Sequence, residues 1–410
     1  MNRPVVIISP VESGIELAPA FKKRGIPAIA VTLPLQDWVG FGMEIHASHF
    51  LKIIPYSEDL LDILREYNPI AILPGSDEGV PLAEYLTNAL IPALSNDPTK
   101  SMNRLHKALM QEALKDAGVP VLKTLNTASE KAVEDWIVEN ALTDAPLIIK
   151  PPMSAGSDKV FHIPAQGDWR GAFNRVLTEP TKITGKMSET AVVQEQAIGT
   201  EFAVGTVSAN GKHYLAHLIQ YNKTSSGDRK TIFDHVEFVP HSPDVQGDLF
   251  EYTCQALDAL GVKWGAAHTE IMLTANGPRL IESGARMCGG PTVEFARVAT
   301  GSSQADKIVE AYLDGDVQTK EFTFKKTVMP VFLKSPAEGI VSNAEVFDAA
   351  STLPTFLNDF RWFKNGDHVP HTVDYLTSIG IIALSGNRDA ILIDYQKIRE
   401  MESRLIVEKI

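Results

Sequence analysis

Short runs of apolar, β-branched residues alternate with helix-spaced segments through the first hundred residues of the chain. The runs VVIIS (5–9), AIAVTL (28–33), FLKII (50–54) and AILPG (71–75) read as strands, and residues 15–24, 57–66 and 79–90 read as helices between them. Continuous apolar strands interleaved with helices predict a parallel sheet covered on both faces, a doubly wound α/β unit. Two loops, SPVESG (9–14) and PGSDEG (74–79), fall at the carboxyl ends of strands, where such sheets bind ligands. Their glycines also suit simple turns. Neither loop holds the G-x-G-x-x-G of a dinucleotide site.

After PALSNDPTK the spacing predicts a helix over about 99–117, stopped by Gly118-Val119-Pro120. Strands follow at 146–151 and 190–195, and further β-rich stretches at 201–209 and 213–221 make the middle of the chain α+β. From about residue 321 onward, TVMPVFLKS, the loop KNGDHV (364–369), the strand IGIIALSG (379–386) and a helix from Arg388 to about Glu402 read as a small α+β cap. Three domains are therefore expected: 1–97, 98–320 and 321–410. The length of 410 residues is itself too great for one hydrophobic core.

Composition narrows the partners. Against 38 Lys and Arg stand 51 Asp and Glu, a formal charge of −13, which disfavours a nucleic-acid backbone or an anionic membrane as main partner. Cys254 and Cys288 are the two cysteines, which excludes a disulfide scaffold and a thiolate zinc site and suits a reducing cytosol. The first apolar run stops at Ser9-Pro10, too short for a secretory core or a membrane span, so the expectation is a soluble cytoplasmic protein.

Several chemistries can be set aside. The stretch Gly205 to Lys212 has five residues between its glycines instead of four and continues into His213, so it is not a Walker A loop. No H-E-x-x-H or G-x-S-x-G occurs, and His46-x-x-His49 lacks an acidic partner at a ligand spacing. Neither cysteine has an evident base beside it in the sequence.

The strongest signal is GAAHTEIMLTANGPRLIESGARMCGG, 265–290. Asn276-Gly277 is a hairpin signal, and in a hairpin centred on Asn276 the residues whose numbers add to 552 face one another. Glu270 and Glu282 satisfy that sum, which places two carboxylates about 4.5–5.5 Å apart on one face. Like charges in that position call for a cation, and oxygen-only donors point to Mg²⁺ or Mn²⁺. Two solvated glutamates on an exposed ladder would give the same pattern. Arg286, in a turn with Gly284, Gly289 and Gly290, adds a fixed positive charge nearby.

Two weaker signals accompany it. Lys150 closes the strand LIIK and precedes the small residues Ser154, Ala155, Gly156 and Ser157, whose backbone can approach a phosphate. In VVQEQAIGTEFAV an apolar strand stops at Glu195-Gln196 and resumes after Gly199, exposing backbone that can read an adenine edge and leaving Glu201 for sugar hydroxyls. Strand-end lysines and β-turns are also common structural features.

In order along the chain, Lys107 in NRLHKALM, Lys150 with its small-residue loop, Glu195-x-x-x-Gly199-x-Glu201, and Glu270, Glu282 and Arg286 resemble the ATP-grasp superfamily over about residues 1–320. NGDHV and SIGIIALSG in the cap resemble the biotin-carboxylase-like branch. The resemblance implies an ATP-grasp fold: an N-terminal α/β domain, a two-lobed ATP-binding region with a lid lobe at about 120–200, and the cap. It implies that Lys107, Lys150, Ser154, Gly156 and Ser157 contact ATP phosphates. Glu195, Gln196, Ala197 and Ile198 would line adenine, Glu201 would bind ribose, and Glu270 and Glu282 would hold Mg²⁺. Two positions depart from the pattern: Gly284 stands where the family often has a metal-binding Asn, and Lys159 where its loop often ends in Gly.

SPVESGIELAPAFKKRG, LPGSDEGVPLAEYL, YNK (221–223) and IESGARMCGG are most similar to bacterial L-amino acid ligases, which join unprotected amino acids into dipeptides. That likeness implies carboxylate phosphorylation by ATP, with Lys107 and Lys150 neutralising the shifting charge, then attack by an amine while Arg286 stabilises the oxyanion. Ser13, Gly14, Ser76, Asp77, Glu78, His235 and Gly289 are the substrate-pocket candidates. The acids among Asp77, Glu78, Asp234 and Glu237 suggest a preference for a basic amino acid, or else a solvated surface. Alternatives are a carboxylase or formate-type ligase on a small metabolite, and an inactive nucleotide-binding regulator. A homodimer is compatible with this branch.

Overall fold

The computed structural model describes residues 2–34, 45–182, 185–226, 229–242, 249–320 and 322–409. They form two compact units that share the chain in alternating segments: Met1–Val121, Phe202–Leu218 and Pro240–Phe324 in the first, and Leu122–Glu201, Ile219–Val239 and Lys325–Ile410 in the second. Strands Gly199–Ala209 and Lys212–Ser226 contribute residues to both. Positions 97 and 320 both fall within the first unit, and residue 321, the expected start of the cap, lies outside the described residues.

The first unit opens with the expected parallel sheet. Strand Val5–Ile8 lies between Ala28–Thr32 and Ala71–Pro74, with Lys52–Pro55 at the edge. Alternation along the central strand sends Val5 and Ile7 toward Leu17 and Phe21, and Val6 and Ile8 toward Leu60, Leu64 and Leu86. Both faces are thus buried, which is why these strands are continuously apolar. The same unit carries a second sheet in the order Gly277–Gly284, Gly265–Thr274, Gly199–Ala209, Lys212–Ser226.

The glycines of the two N-terminal loops do more than turn. A Cβ on Gly14 would stand 2.2 Å from the Gly75 carbonyl oxygen, and one on Gly75 would stand 2.6 Å from Pro10 Cα. The loops after Val5–Ile8 and Ala71–Pro74 therefore touch through bare backbone.

The helix expected over 99–117 is interrupted. Single 3₁₀ turns cover Pro98–Lys100 and Met102–Arg104, and the α-helix begins at Lys107 and ends at Asp116. Buried Arg104 pulls the early segment away from helical pairing, because its guanidinium donates to Glu84, to the Asp97 carbonyl and to the Leu260 carbonyl. His106 then takes an extended backbone, and its Nδ1 caps the new helix by accepting from Leu109 N–H. The end comes at Gly118, in the left-handed region at φ 74 as a C-terminal stop requires.

In the second unit, Thr124–Thr127, Ala191–Glu195, Leu147–Lys150 and Phe161–Ile163 form an antiparallel sheet in that order. Helices Glu130–Glu139 and Arg170–Thr178 cover one face, with Ile149, Val193, Trp169 and Phe173 in the core. The C-terminal part builds strands Thr327–Leu333, Gly380–Gly386 and Phe356–Arg361 beside Arg229–Phe238, and helix Arg388–Glu402 packs Ile391 and Ile398 against them. Among the described residues no helix is long and apolar enough to cross a membrane.

The backbone contact between the N-terminal loops gives a first test. Gly14→Ala should destabilise the protein by about 1–3 kcal/mol, since neither opposing backbone can yield cheaply. Thermal melting should show a drop of several degrees, whereas Gly25→Ala, at φ 72 with nothing near its Cβ site, should cost less.

Candidate functional site

The hairpin Gly265–Thr274/Gly277–Gly284 places Glu270 opposite Glu282, as the turn signal suggested. The register differs in detail. Near the tip the pairs are Thr274 with Gly277, Met272 with Arg279 and Ile271 with Leu280, one residue short of the expected sum. A bulge after Glu270 takes up one residue and restores the expected pairing at the carboxylates. On the other face Thr269 and Ser283 share a buried hydrogen bond of 2.9 Å, which fixes the orientation of both strands.

Both carboxylates have cationic neighbours in the same unit. Lys107 Nζ lies 2.9 Å from Glu282 Oε2, and His268 Nε2 lies 3.4 Å from Glu270 Oε1. Lys107 is the first residue of its helix, where a positive charge opposes the helix dipole, so Glu282 compensates it. Burial alone would push the His268 imidazole down. Cys288 and Glu270 outweigh it and raise the group to about 10. In turn His268 and His217 hold the Cys288 thiol well below its usual value against the opposing effect of burial.

This histidine–cysteine cluster was not visible in the sequence, where Cys288 had no evident base. It also explains the rejected Walker-like stretch. A Cβ on Gly205 would stand 2.2 Å from His217 Nε2, so that glycine makes room for an imidazole. Asn210 and Gly211, both at positive φ, form the hairpin turn between two strands.

Arg286 meets the N-terminal loops. Its guanidinium donates to Asp77 Oδ2 at 2.6 Å and to the Met287 carbonyl at 3.0 Å. Burial opposes ionisation of Asp77, but Arg286 outweighs it and holds the carboxyl below its ordinary value. Glu12, which the sequence did not single out, comes to the same edge. Its Oε2 accepts from Gly290 N–H at 3.3 Å, and a Cβ on Gly289 would stand 2.5 Å from that oxygen. Burial, with Asp77 and Glu78 nearby and Arg286 opposing, pushes the Glu12 carboxyl up to about 7. Ser13 and Gly14 are buried in this loop, and the Ser9 and Ser76 hydroxyls are buried with no hydrogen-bond partner among the described residues. Gly289, the first of the Gly289-Gly290 pair and not at positive φ, is there for space, a fact that residue type alone does not show.

The second unit holds the remaining candidates. Lys150 is buried at the end of its strand. In the loop after it, Ser154 Oγ donates to Asp158, whose carboxylate also accepts from Lys182 N–H at 2.7 Å. Gly156 and Ser157 both have positive φ, and a Cβ on Gly156 would press to 3.0 Å on Leu376. Lys159 is held within its own unit, its side chain 9% exposed. Its ammonium caps the helix Arg170–Thr178 by donating to the Arg175 and Glu179 carbonyls.

Glu195 turns its carboxylate to Lys123 N–H at 2.8 Å, and Gln196 N–H donates to the Pro146 carbonyl at 3.0 Å, so the sheet already uses these groups. Ala197 follows, and Ile198 is 72% exposed, an apolar side chain left for something to cover. Glu201 is not free as the sequence suggested. Lys223 pairs with it at 2.7 Å while lying over the Tyr221 and Phe233 rings. His235 bonds Asp234, and Asp234 also takes Lys334, Tyr395 and Arg399. Glu237 pairs with Arg388. These acids are thus balanced within the unit, which removes them as support for a basic amino acid preference.

The model of the ATP-grasp domain matches residues 143–294. Dapdiamide A synthase of Enterobacter agglomerans is 29% identical over 97% of this chain and 96% of its own. Residues 143–294 thus carry an ATP-grasp domain. Its fold is shared by the crystal structure of an L-amino acid ligase from Bacillus licheniformis, with a TM-score of 0.74, 15% identity and coverage of 100% of this chain and 99% of that one. An N5-carboxyaminoimidazole synthase from Aspergillus clavatus, solved with ADP and 5-aminoimidazole ribonucleotide, has a TM-score of 0.73 at 13% identity over 98% and 99% of the chains. The protein is an enzyme of the ATP-grasp ligase type.

The Glu12 environment sets a pH dependence. With a folded-state value near 7 against an ordinary 4.5, ionising Glu12 weakens the fold as pH rises through that window and leaves it weakened above. Glu12→Gln removes the ionisation. Its melting temperature should exceed the parent's by a few degrees at pH 8, and the two should converge at pH 5; a constant offset would show that Glu12 ionises normally.

Proposed function

We propose that this ATP-grasp enzyme joins two unprotected L-amino acids into a dipeptide, consuming ATP and releasing ADP and phosphate. The observation that carries this reading is the chemistry of the N-terminal loop edge. Arg286, its cation, is already paired with Asp77, and Glu12 and Glu78 add negative charge beside it. Such an edge suits a zwitterion and lacks the surplus positive charge that a phosphorylated nucleotide precursor would need. The near full-length likeness to dapdiamide A synthase supports the same reading.

The chemistry proceeds in two steps. The carboxylate of one amino acid attacks the γ-phosphorus of ATP, giving an aminoacyl phosphate and ADP. The amine of the second then attacks the activated carbonyl, phosphate leaves, and the ammonium proton passes to solvent or a base. Lys107 in the first unit and Lys150 in the second are assigned to phosphate charge. Arg286 is assigned to the oxyanion, already desolvated and with its orientation fixed by Asp77. Ser154, Gly156 and Ser157 are assigned to the phosphates, and the segment from Glu195 to Ile198 to the base. Glu201, held by Lys223, is oriented to accept from sugar hydroxyls.

Glu270 and Glu282 fit a hard divalent ion. They offer two oxygen donors from neighbouring strands, and among the described residues no three His, Cys, Asp or Glu side chains converge as a metal site. That donor set suits Mg²⁺ or Mn²⁺, which keep positions for phosphate oxygens and water. When bound, the ion would neutralise phosphate charge; Lys107 would then be released from Glu282.

ADP and phosphate release across single and paired amino acids, with bicarbonate and formate controls, tests the reading. Release should require two amino acids together. Dependence on bicarbonate or formate, or on neither, would replace it with one of the alternatives. Glu282→Gln should lower turnover by roughly a hundredfold or more while the protein still folds; full activity would remove the metal assignment.

A further inference from the structure

The loop edge contains a carboxyl group that neither the fold nor the assignments above require. Glu12 is held at φ 49, a left-handed conformation that costs a residue with a side chain. Two glycines shape its surroundings: Gly289 leaves the space its carboxylate fills, and Gly290 N–H points to it. Among the described residues it makes no ion pair, because Arg286 is committed to Asp77 and to the Met287 carbonyl. The groups that face it are Arg286, Asp77 and Glu78.

A second observation at the same edge points to a ligand. Ser9 is 1% exposed and Ser76 is 9% exposed, and neither hydroxyl has a hydrogen-bond partner among the described residues. They stand on the adjacent loops that follow Val5–Ile8 and Ala71–Pro74, strands paired Ile8 to Pro74. Buried hydroxyls without partners are costly, and each of these two can accept from a donor that a ligand brings to the edge. A primary ammonium group has three donors, one positive charge and no acceptor, which complements this set.

We propose that Glu12, assisted by the Ser76 hydroxyl, is a specificity-determining residue that receives the primary ammonium group of an amino acid substrate. The inference rests on the amino acid ligase reading and adds to it the residue that distinguishes an amino acid from other carboxylates. The raised Glu12 carboxyl is consistent with this role: at about 7 it is only partly ionised near neutral pH, and a cation beside it favours the ionised form. Binding therefore releases part of a proton near pH 7.

The test uses the full-length enzyme and an amino acid that supports ADP release. Its KM is measured for the parent, Glu12→Gln and Gly289→Ala, beside the KM for ATP and the melting temperature. Glu12→Gln keeps the shape and removes the charge. Gly289→Ala keeps the charge and displaces the carboxylate, so it covers the case in which the first variant fails to fold.

Both should raise the amino acid KM by about tenfold or more and leave the ATP KM within twofold. The parent should reject the corresponding 2-hydroxy acid, and the variants should lose most of that discrimination. L-lysine against L-norleucine separates recognition of a side-chain ammonium from that of the α-ammonium. Unchanged amino acid KM values and unchanged discrimination in both variants would overturn the proposal while leaving a parent enzyme that ligates amino acids intact. If no amino acid supports turnover in the parent, the ligase reading itself fails and this inference with it.

Discussion

Two carboxylates forced to face each other dominate the first unit. The pairing of Glu270 with Glu282 is electrostatically unfavourable by itself, and neighbouring elements supply the correction. Lys107 is carried to Glu282 by a helix that must start there, since buried Arg104 and the His106 cap break any longer helix upstream. His268 is held beside Glu270 and is charged because Cys288 lies against it. Gly205 is bare so that His217 can reach the same thiol. The rest of the site is arranged around one repulsion.

The same accounting revises the charge picture. In the sequence the loop acids suggested a basic substrate, yet Asp77, Asp234 and Glu237 all have cationic partners in their own units. Composition counts charges without pairing them. Once paired, Asp77, Asp234 and Glu237 cease to argue for a basic substrate, and Glu12 differs from these three in making no ion pair among the described residues.

How much the sequence revealed follows from how local each feature is. The parallel sheet was legible because its strands are buried on both faces and read as unbroken apolar runs. Glu270 and Glu282 were legible because an Asn-Gly turn sets a register, although the bulge that corrects it leaves no mark in residue type. Features made by distant segments were not legible. The Arg104 contacts to Glu84 and Leu260, the meeting of His217, His268 and Cys288, and Glu12 against Gly289 join residues that no period or spacing relates. The place of Lys159 was illegible for the same reason: the helix end that its ammonium caps lies sixteen to twenty residues further along the chain.

The ATP-grasp frame is shared by enzymes whose second substrates differ widely, so specificity must lie in parts the frame does not fix. Here the loops after the first and fourth strands are pressed together through glycine backbone, which leaves their side chains little freedom to adjust. A rigid edge of this kind discriminates by what it leaves unpaired. Among the described residues the Ser9 and Ser76 hydroxyls have no hydrogen-bond partner and Glu12 makes no ion pair. With Asp77 and Glu78 beside Glu12, a further anion would be repelled and an ammonium group attracted. The charge of this edge thus complements the ammonium group of the substrate proposed above.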